Sequence, residues 1–177
     1  MRQIEQNVSP MSNEGRNAYV IEHLTNALLK LLSDHPIGDI SISQLCSLAE
    51  VGRASFYRNF ESKEDILRAY IDQRFREWIE LDRIGDGRPL HKWIAAMFGH
   101  FEAHREFYTL LNKRNLIYLL KDVIIGLCGP KTEQTAEEAY ASAFAAYTLY
   151  GWIEVWFQRG MQESAQEMEQ MFQNRGL

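Results

Sequence analysis

The residues with the clearest potential for binding lie between positions 53 and 60, where several hydrogen-bond donors surround the small side chain of Ala54. The segment reads Arg53-Ala-Ser-Phe-Tyr-Arg-Asn-Phe60. On an α-helix, Phe56 and Phe60 form an inner face, so the arginines, the serine and Tyr57 occupy the opposite face. Such a face fits the major groove of DNA, where base edges offer hydrogen-bond acceptors. The segment therefore predicts a helix that reads DNA.

Two histidines form a second candidate group. His100 and His104 are four residues apart, a spacing at which two imidazoles on one helix face can chelate a metal ion. The intervening glutamate is not where metalloproteases need it, and no third ligand, glycine-rich phosphate loop or nucleophile elbow is evident. We therefore expect exposed histidines, no metal, no cofactor and no enzyme activity. A helical metal-binding protein or an enzyme that uses these histidines is the alternative.

A helix-turn-helix is needed to position the donor-rich helix. Leu45 and Leu48 are expected to lie on one face of a short preceding helix and to seat it on the core. Ala49 is small where the two helices approach, and Glu50-Val-Gly52 has the length of the turn in this motif. The pattern predicts two short helices joined by a tight turn.

Helical periodicity and capping signals extend along the chain. Apolar spacing predicts a helix over residues 15–34, and Ser41 with Gln44 forms a capping pattern for the first helix of the motif. Ser62-Lys-Glu-Asp65 predicts the start of a long helix that ends near Asp82. Further helices are predicted at about 89–104, 105–112, 114–127, 132–159 and 164–174, with a hinge at Gly85, Gly87 and Pro89.

Residues 42–67 resemble the DNA-binding motif of TetR-type transcriptional regulators, and the resemblance extends over about residues 16–80. The positions in register with the family pattern are Ala49, Val51, Ser55, Phe56, Tyr57, Phe60, Ser62, Lys63, Glu64, Asp65 and Leu67. The departures are Glu50 for a usual glycine, Gly52 for a usual serine and Asn59 for a usual histidine.

The resemblance implies an all-α fold of about nine helices. Residues 1–61 would form a three-helix DNA-binding domain, and residues 62–177 a regulatory and dimerisation domain whose first helix, 62–82, connects the two. Arg53 is the expected base reader, and Lys63, beside a helix N-terminus, is an expected phosphate contact. The residues implied to face bases or phosphates are Ser43, Arg53, Ala54, Ser55, Tyr57, Arg58, Asn59 and Lys63.

The second domain offers aromatic side chains for an effector and small side chains for a subunit interface. An apolar small molecule is expected among Trp78, Trp93, Phe101, Tyr108, Tyr118 and Phe144, with core packing as the alternative. Residues 136–151 are rich in alanine and continue into apolar residues, so this helix is expected to pair with a second copy, beside a terminal helix that carries Met168, Met171 and Phe172.

Charge and composition limit the function classes. The 177 residues carry a net charge of −5, and residues 1–60 contain five basic and six acidic side chains, so DNA binding must rely on a few placed cations. Two cysteines exclude a disulfide framework and suit a reducing cytosol. The polar start of the chain predicts no signal peptide, and no apolar run is long enough to span a membrane.

Together these observations predict a cytoplasmic DNA-binding regulator. The expected form is a homodimeric repressor that binds a palindromic operator in double-stranded DNA and is released by an apolar small molecule. A regulator that acts by protein contact without binding DNA remains a further alternative, because the DNA-binding half is slightly acidic.

Overall fold

The computed structural model describes residues 13–81 and 90–174, and within these ranges every regular element is helical. The predicted hinge at Gly85, Gly87 and Pro89 lies outside the described residues. No helix in the described ranges combines the length and apolarity needed to cross a bilayer. The elements are α1 (Asn13–Asp34), a 3₁₀ turn (Ile37–Asp39), α2 (Ile42–Leu48), α3 (Arg53–Asn59), α4 (Lys63–Leu81), α5 (Leu90–Ala103), α6 (Arg105–Lys113), α7 (Leu119–Cys128), α8 (Ala136–Gln158) and α9 (Ala165–Gln173).

The helices belong to two units that divide between Leu67 and Arg68, inside α4. In the first unit, α1 packs against both α2 and α3. Leu24, Leu28 and Leu32 are fully buried at the four-residue spacing of one face of α1. Because burial of a leucine side chain contributes about 1.5–3 kcal/mol, this face is the platform that holds the two shorter helices.

The second unit is built around an aromatic core. Its helices pair as α5 with α9 and α7 with α8. The rings of Phe98 and Trp156 lie 5.0 Å apart, and those of Phe101 and Tyr108 lie 4.8 Å apart, with nearly perpendicular planes. Edge-to-face contacts of this kind add about 0.5–1.5 kcal/mol beyond area burial. The large side chains of this core are Phe75, Trp78, Phe98, Phe101, Tyr108, Trp156 and Phe157.

Two helices start later than the apolar pattern predicts. Helix α7 begins at Leu119 rather than near 114, because Asn115 adopts a left-handed φ of 58° and the Leu116 N–H closes α6 on the Leu111 carbonyl at 2.8 Å. Helix α8 begins at Ala136 rather than near 132, because Thr135 caps it in a reciprocal capping box with Glu138. Capping geometry thus sets both boundaries.

A polar pair lies inside the aromatic core, where the sequence predicted exposed histidines. His100 is buried, and its Nε2 lies 3.0 Å from the Tyr108 hydroxyl. Burial, followed by the nearby His104 and Arg74, lowers the pKa of His100 to about 4, and burial and Arg74 also lower the pKa of His104. No three His, Cys, Asp or Glu side chains in the described ranges group to hold a metal ion.

The lowered pKa of His100 makes stability depend on pH. In the unfolded chain this histidine takes up its proton near pH 6.5, whereas the folded chain resists protonation until about pH 4. The stabilising contribution is therefore present above pH 6.5 and is lost as the pH falls towards 4. Between pH 7.5 and 5, the wild type should lose about 2 kcal/mol more unfolding free energy than His100→Gln, which keeps a partner for Tyr108 but does not titrate.

Urea unfolding at the two pH values measures this difference. His35→Gln removes an exposed histidine from the loop after α1 and serves as the matched control. Equal pH dependence in the wild type and in His100→Gln would contradict the assignment.

Candidate nucleic-acid interface

Hydrogen bonds fix both ends of α2. The Ser41 hydroxyl accepts from the Gln44 N–H at 3.1 Å, which confirms the predicted cap. At the other end, the Val51 N–H donates to the Cys46 carbonyl at 3.0 Å around Glu50, whose φ is 57°. This arrangement ends a helix sharply and usually places glycine at the left-handed position. The chain therefore reverses directly after α2. Glu50 adopts the left-handed backbone conformation, which is unfavourable for any residue that has a Cβ atom.

The buried side of α3 determines which residues face solvent. Phe56 is fully buried and Phe60 is nearly so, which confirms the predicted inner face. Tyr57 is 61% exposed on the opposite side. The exposed residues there, which we call the outer face of α3, are Arg53, Ala54, Tyr57 and Arg58. This face has the composition that base edges require: two guanidinium groups, one phenol and one methyl group.

Helix α2 is seated differently from the prediction. Leu45 and Cys46 are buried, together with Ala49, whereas Leu48 is 40% exposed. Positions 45 and 49 lie one turn apart on the inner face, and residue 48 is rotated away from them. The prediction that Leu48 seats this helix was wrong, and Cys46 takes its place.

Three predicted site residues flank the outer face of α3. Arg53 Nη1 lies 3.5 Å from the Ser43 hydroxyl, so these two polar groups adjoin at the start of α2. On the other flank, Asn59 Nδ2 donates to the Ser55 carbonyl at 2.8 Å, and both residues are half-buried. The interface therefore extends from the start of α2, across α3, to the side of α3 that bears Ser55 and Asn59.

Lys63 has partners within the protein. Its ammonium donates to the carbonyls of Ile37 and Ile40, in the segment that joins α1 to α2. The side chain is half-buried. Lysine offers three donors and no acceptor, so these two bonds engage most of its capacity. The structure thus directs this cation towards the backbone of the α1–α2 connection, and the phosphate contact expected of it stays a prediction.

An open groove lies beside α3, and the sequence did not predict it. Its volume is about 960 Å³, and its walls come from the start of α1, the α2–α3 turn and the flank of α3. The lining includes Arg16 and Asn17 of α1 together with Arg58 and Asn59 of α3. Periodicity places Arg16 on the polar face of α1, but only the crossing of α1 and α3 brings it next to the interface.

The six aromatic residues predicted to line one ligand cavity differ in burial, and two pairs of them are in ring contact, Trp78 with Trp93 at 6.0 Å and Phe101 with Tyr108 at 4.8 Å. Trp78, Phe101 and Tyr108 are packed in the buried core. Tyr118 and Phe144 are exposed, and Phe144 shares the wall of a cavity of about 260 Å³ with Trp93. A single ligand site among all six residues stays a prediction, because helical periodicity identifies apolar faces without showing which faces meet.

The smaller cavity is apolar. Helices α5, α8 and α9 and the end of α7 supply its walls. The lining residues carry three polar side-chain groups, the Cys128 thiol, the Thr148 hydroxyl and the Trp93 indole N–H. The Cys128 thiol donates to the Ile124 carbonyl at 3.1 Å, and burial raises its pKa. The thiol is therefore protonated and serves as a weakly polar part of an apolar wall.

Comparison with known families matches both units. Residues 24–70 match the profile described as bacterial regulatory proteins, tetR family. Residues 89–175 match the profile described as transcriptional regulator C-terminal region. The first match contains the whole helix-turn-helix, and the second contains the apolar cavity and α5–α9.

A sequence relative agrees with these matches, and a solved structure shares the fold. An uncharacterized HTH-type transcriptional regulator, YerO of Bacillus subtilis, is 26% identical over 104 residues, which are 54% of this chain and 36% of that protein. The chain thus matches about a third of the length of this relative. A TetR transcriptional regulator from Streptococcus agalactiae 2603V aligns with a TM-score of 0.56 and 15% identity, over 90% of this chain and 94% of the other.

Removal of the Lys63 ammonium should loosen the first unit. Lys63→Met keeps the apolar stem but leaves the Ile37 and Ile40 carbonyls without this donor. Loss of a partner for buried polar groups costs about 1–3 kcal/mol. We expect the amide hydrogens of α2 and α3 to exchange faster, by the factor in rate that this loss of free energy corresponds to. Hydrogen exchange followed by mass spectrometry measures the rates. Lys30→Met, at an exposed position of α1, is the control, and unchanged protection in Lys63→Met would contradict the assigned role.

Proposed function

This chain belongs to the TetR family of bacterial transcriptional regulators, and we propose that it represses transcription as a homodimer on a palindromic DNA operator. The observation that carries the proposal is the outer face of α3, where two arginines and a tyrosine project beside Ala54. An α-helix fits the major groove of DNA, in which each base pair offers a distinct pattern of donors and acceptors. The short, firmly seated α3 is the element that enters the groove.

The residues of the interface divide into those that contact bases and those that contact the DNA backbone. Arg53 reads a guanine through two parallel hydrogen bonds, and the methyl group of Ala54 meets a thymine methyl group. Tyr57 contacts a base or the adjoining phosphate. Ser43, Ser55, Arg58 and Asn59 contact the backbone and set the register of α3 in the groove. Lys63 acts indirectly, since its bonds to the Ile37 and Ile40 carbonyls hold the α1–α2 connection.

The dimer is proposed to form along one face of α8. Tyr140, Phe144, Tyr147 and Val155 recur at helical spacing and are each at least half exposed. A contiguous exposed apolar stripe is a marker of a protein interface. The same stripe on a second copy gives an isologous contact. Other apolar residues of α8 and α9, namely Ile153, Trp156, Met168 and Phe172, are buried within the chain and so do not belong to this stripe.

We place the effector in the apolar cavity of the second unit. Trp93 and Phe144 are the two predicted ligand residues that line it, and its volume of about 260 Å³ suits a small neutral molecule with one or two rings. Such a molecule can release the operator only by binding more tightly to the state that does not bind DNA.

Arg53→Ala tests base reading. The variant should lose about 1–3 kcal/mol of binding free energy and its preference at one base pair of each half-site, because a bidentate contact to a base is removed. Selection from a random pool of duplexes, followed by fluorescence anisotropy, measures both. Arg58→Ala is the matched control and should weaken binding to all DNA sequences by a similar factor. An unchanged base preference in Arg53→Ala would contradict the proposal that α3 binds in the major groove.

A charge on the α8 stripe tests the dimer. Phe144→Glu should convert the dimer to a monomer, because two unpaired carboxylates would be buried at the symmetric interface. Sedimentation equilibrium measures the mass. Ala69→Glu adds the same charge at an exposed position of α4 and should remain dimeric. A dimer that persists in Phe144→Glu would place the interface elsewhere.

Reciprocal binding tests the effector. 1-Naphthol, used as a two-ring apolar probe, should weaken the binding of the protein to the selected duplex. The duplex should weaken the binding of 1-naphthol by the same factor. Cys128→Met narrows the cavity and should lower the affinity for 1-naphthol while DNA affinity without the probe stays unchanged. Equal DNA affinity with and without bound 1-naphthol would show that this cavity gives no small-molecule control.

A further inference from the structure

The groove between α1 and α3 holds a cluster of donors that shares Arg58 with the outer face of α3 and extends beyond that face to α1. Arg16 and Asn17 come from the first described turns of α1, and Arg58 and Asn59 come from the end of α3. Both arginines are exposed. Guanidinium groups and amides from two helices therefore line one open channel.

The position of this groove is set by the rotation along α3. Successive residues turn by about 100°, so Arg58 lies at the border between the outer face and the side that carries Ser55 and Asn59. Ser55, Arg58 and Asn59 all line the groove. The groove therefore begins where the base-reading face ends.

The opposite border of the outer face is also polar. Arg53 adjoins Ser43 there, at the start of α2. An α-helix with side chains is about 10–12 Å across and the major groove is about 12 Å wide, so a helix in the groove has a DNA backbone on each side. One backbone would meet Ser43, and the other would meet the groove that contains Arg16.

We infer that Arg16 and Asn17 bind the DNA backbone, on the side of the major groove opposite Ser43. This inference rests on the proposed function and adds α1 to the DNA-binding elements. Arg16 offers a guanidinium to one phosphate beside the one that Arg58 holds, and Asn17 offers an amide donor to the same strand. The contact carries no base preference and fixes the angle at which α3 enters the groove.

Glu50 has the opposite effect in the same groove. Its exposed carboxylate lines the channel with Arg16 and Arg58, at the left-handed position that ends α2. A carboxylate near phosphates repels them, and the repulsion is screened by salt. Glu50 therefore limits the affinity that the two arginines would otherwise give.

The experiment measures binding to the selected duplex by fluorescence anisotropy at 50–200 mM salt. Arg16→Ala should weaken binding about threefold to tenfold and make the slope of log affinity against log salt less steep by about 0.9, the value for one lost phosphate contact. Arg16→Lys should keep the wild-type slope. Lys30→Ala removes the same charge from an exposed position farther along α1 and should change neither quantity.

Glu50→Gln provides an independent test. It removes the charge but keeps a side chain of the same size at the left-handed backbone position. DNA binding should therefore tighten about twofold or more at low salt, and this gain in affinity should shrink as the salt concentration rises. Equal slopes for Arg16→Ala and Lys30→Ala, with normal thermal unfolding, would overturn the inference while the proposed function stands. A wild type that binds no duplex from the pool would instead overturn the proposed function.

Discussion

Helix α3 has seven residues, Arg53–Asn59, and depends on its neighbours for its shape. Isolated helices shorter than about 12–15 residues are marginal in water, and Gly52 gives this one no side-chain cap. The burial of Phe56 and Phe60 against the first unit therefore both stabilises α3 and fixes its rotation. Every proposed contact to a base follows from that rotation, because a turn of one residue would replace Tyr57 on the outer face with a phenylalanine.

The connections around α3 are fixed by polar groups. The Glu50 reversal closes α2, and the Lys63 ammonium ties the start of α4 to the Ile37 and Ile40 carbonyls. Ser62 and Asp65 cap the same end of α4, with the Ser62 N–H donating to the carboxylate at 2.7 Å. The outer face is thus held in place by groups that need not touch DNA.

The second unit follows a different plan. Its core is aromatic, and the polar pair of His100 and Tyr108 within it is hydrogen-bonded. The residues left exposed on α8 are apolar along one face, which a stable monomer would be expected to cover. Packing within the chain and the proposed packing between copies therefore use different faces of the same helix.

Local sequence signals predicted the helices and the inner face of α3 well, because periodicity and capping act over a few residues. The capping serine at 41 and the buried Phe56 are examples. Apart from the starts of α7 and α8, which local capping sets, the differences from the sequence predictions come from packing between distant segments. This packing exposes Leu48 and buries His100. It also sets the internal partners of Lys63, which the sequence does not reveal.

The most direct test of the central claim is methylation protection of the bound operator. Dimethyl sulfate attacks guanine N7, which lies in the major groove. If α3 of each subunit reads that groove, two clusters of protected guanines should appear about 10–10.5 base pairs apart, related by the symmetry of the site. Full methylation of every guanine in a duplex that is demonstrably bound would contradict the claim that α3 reads DNA from the major groove.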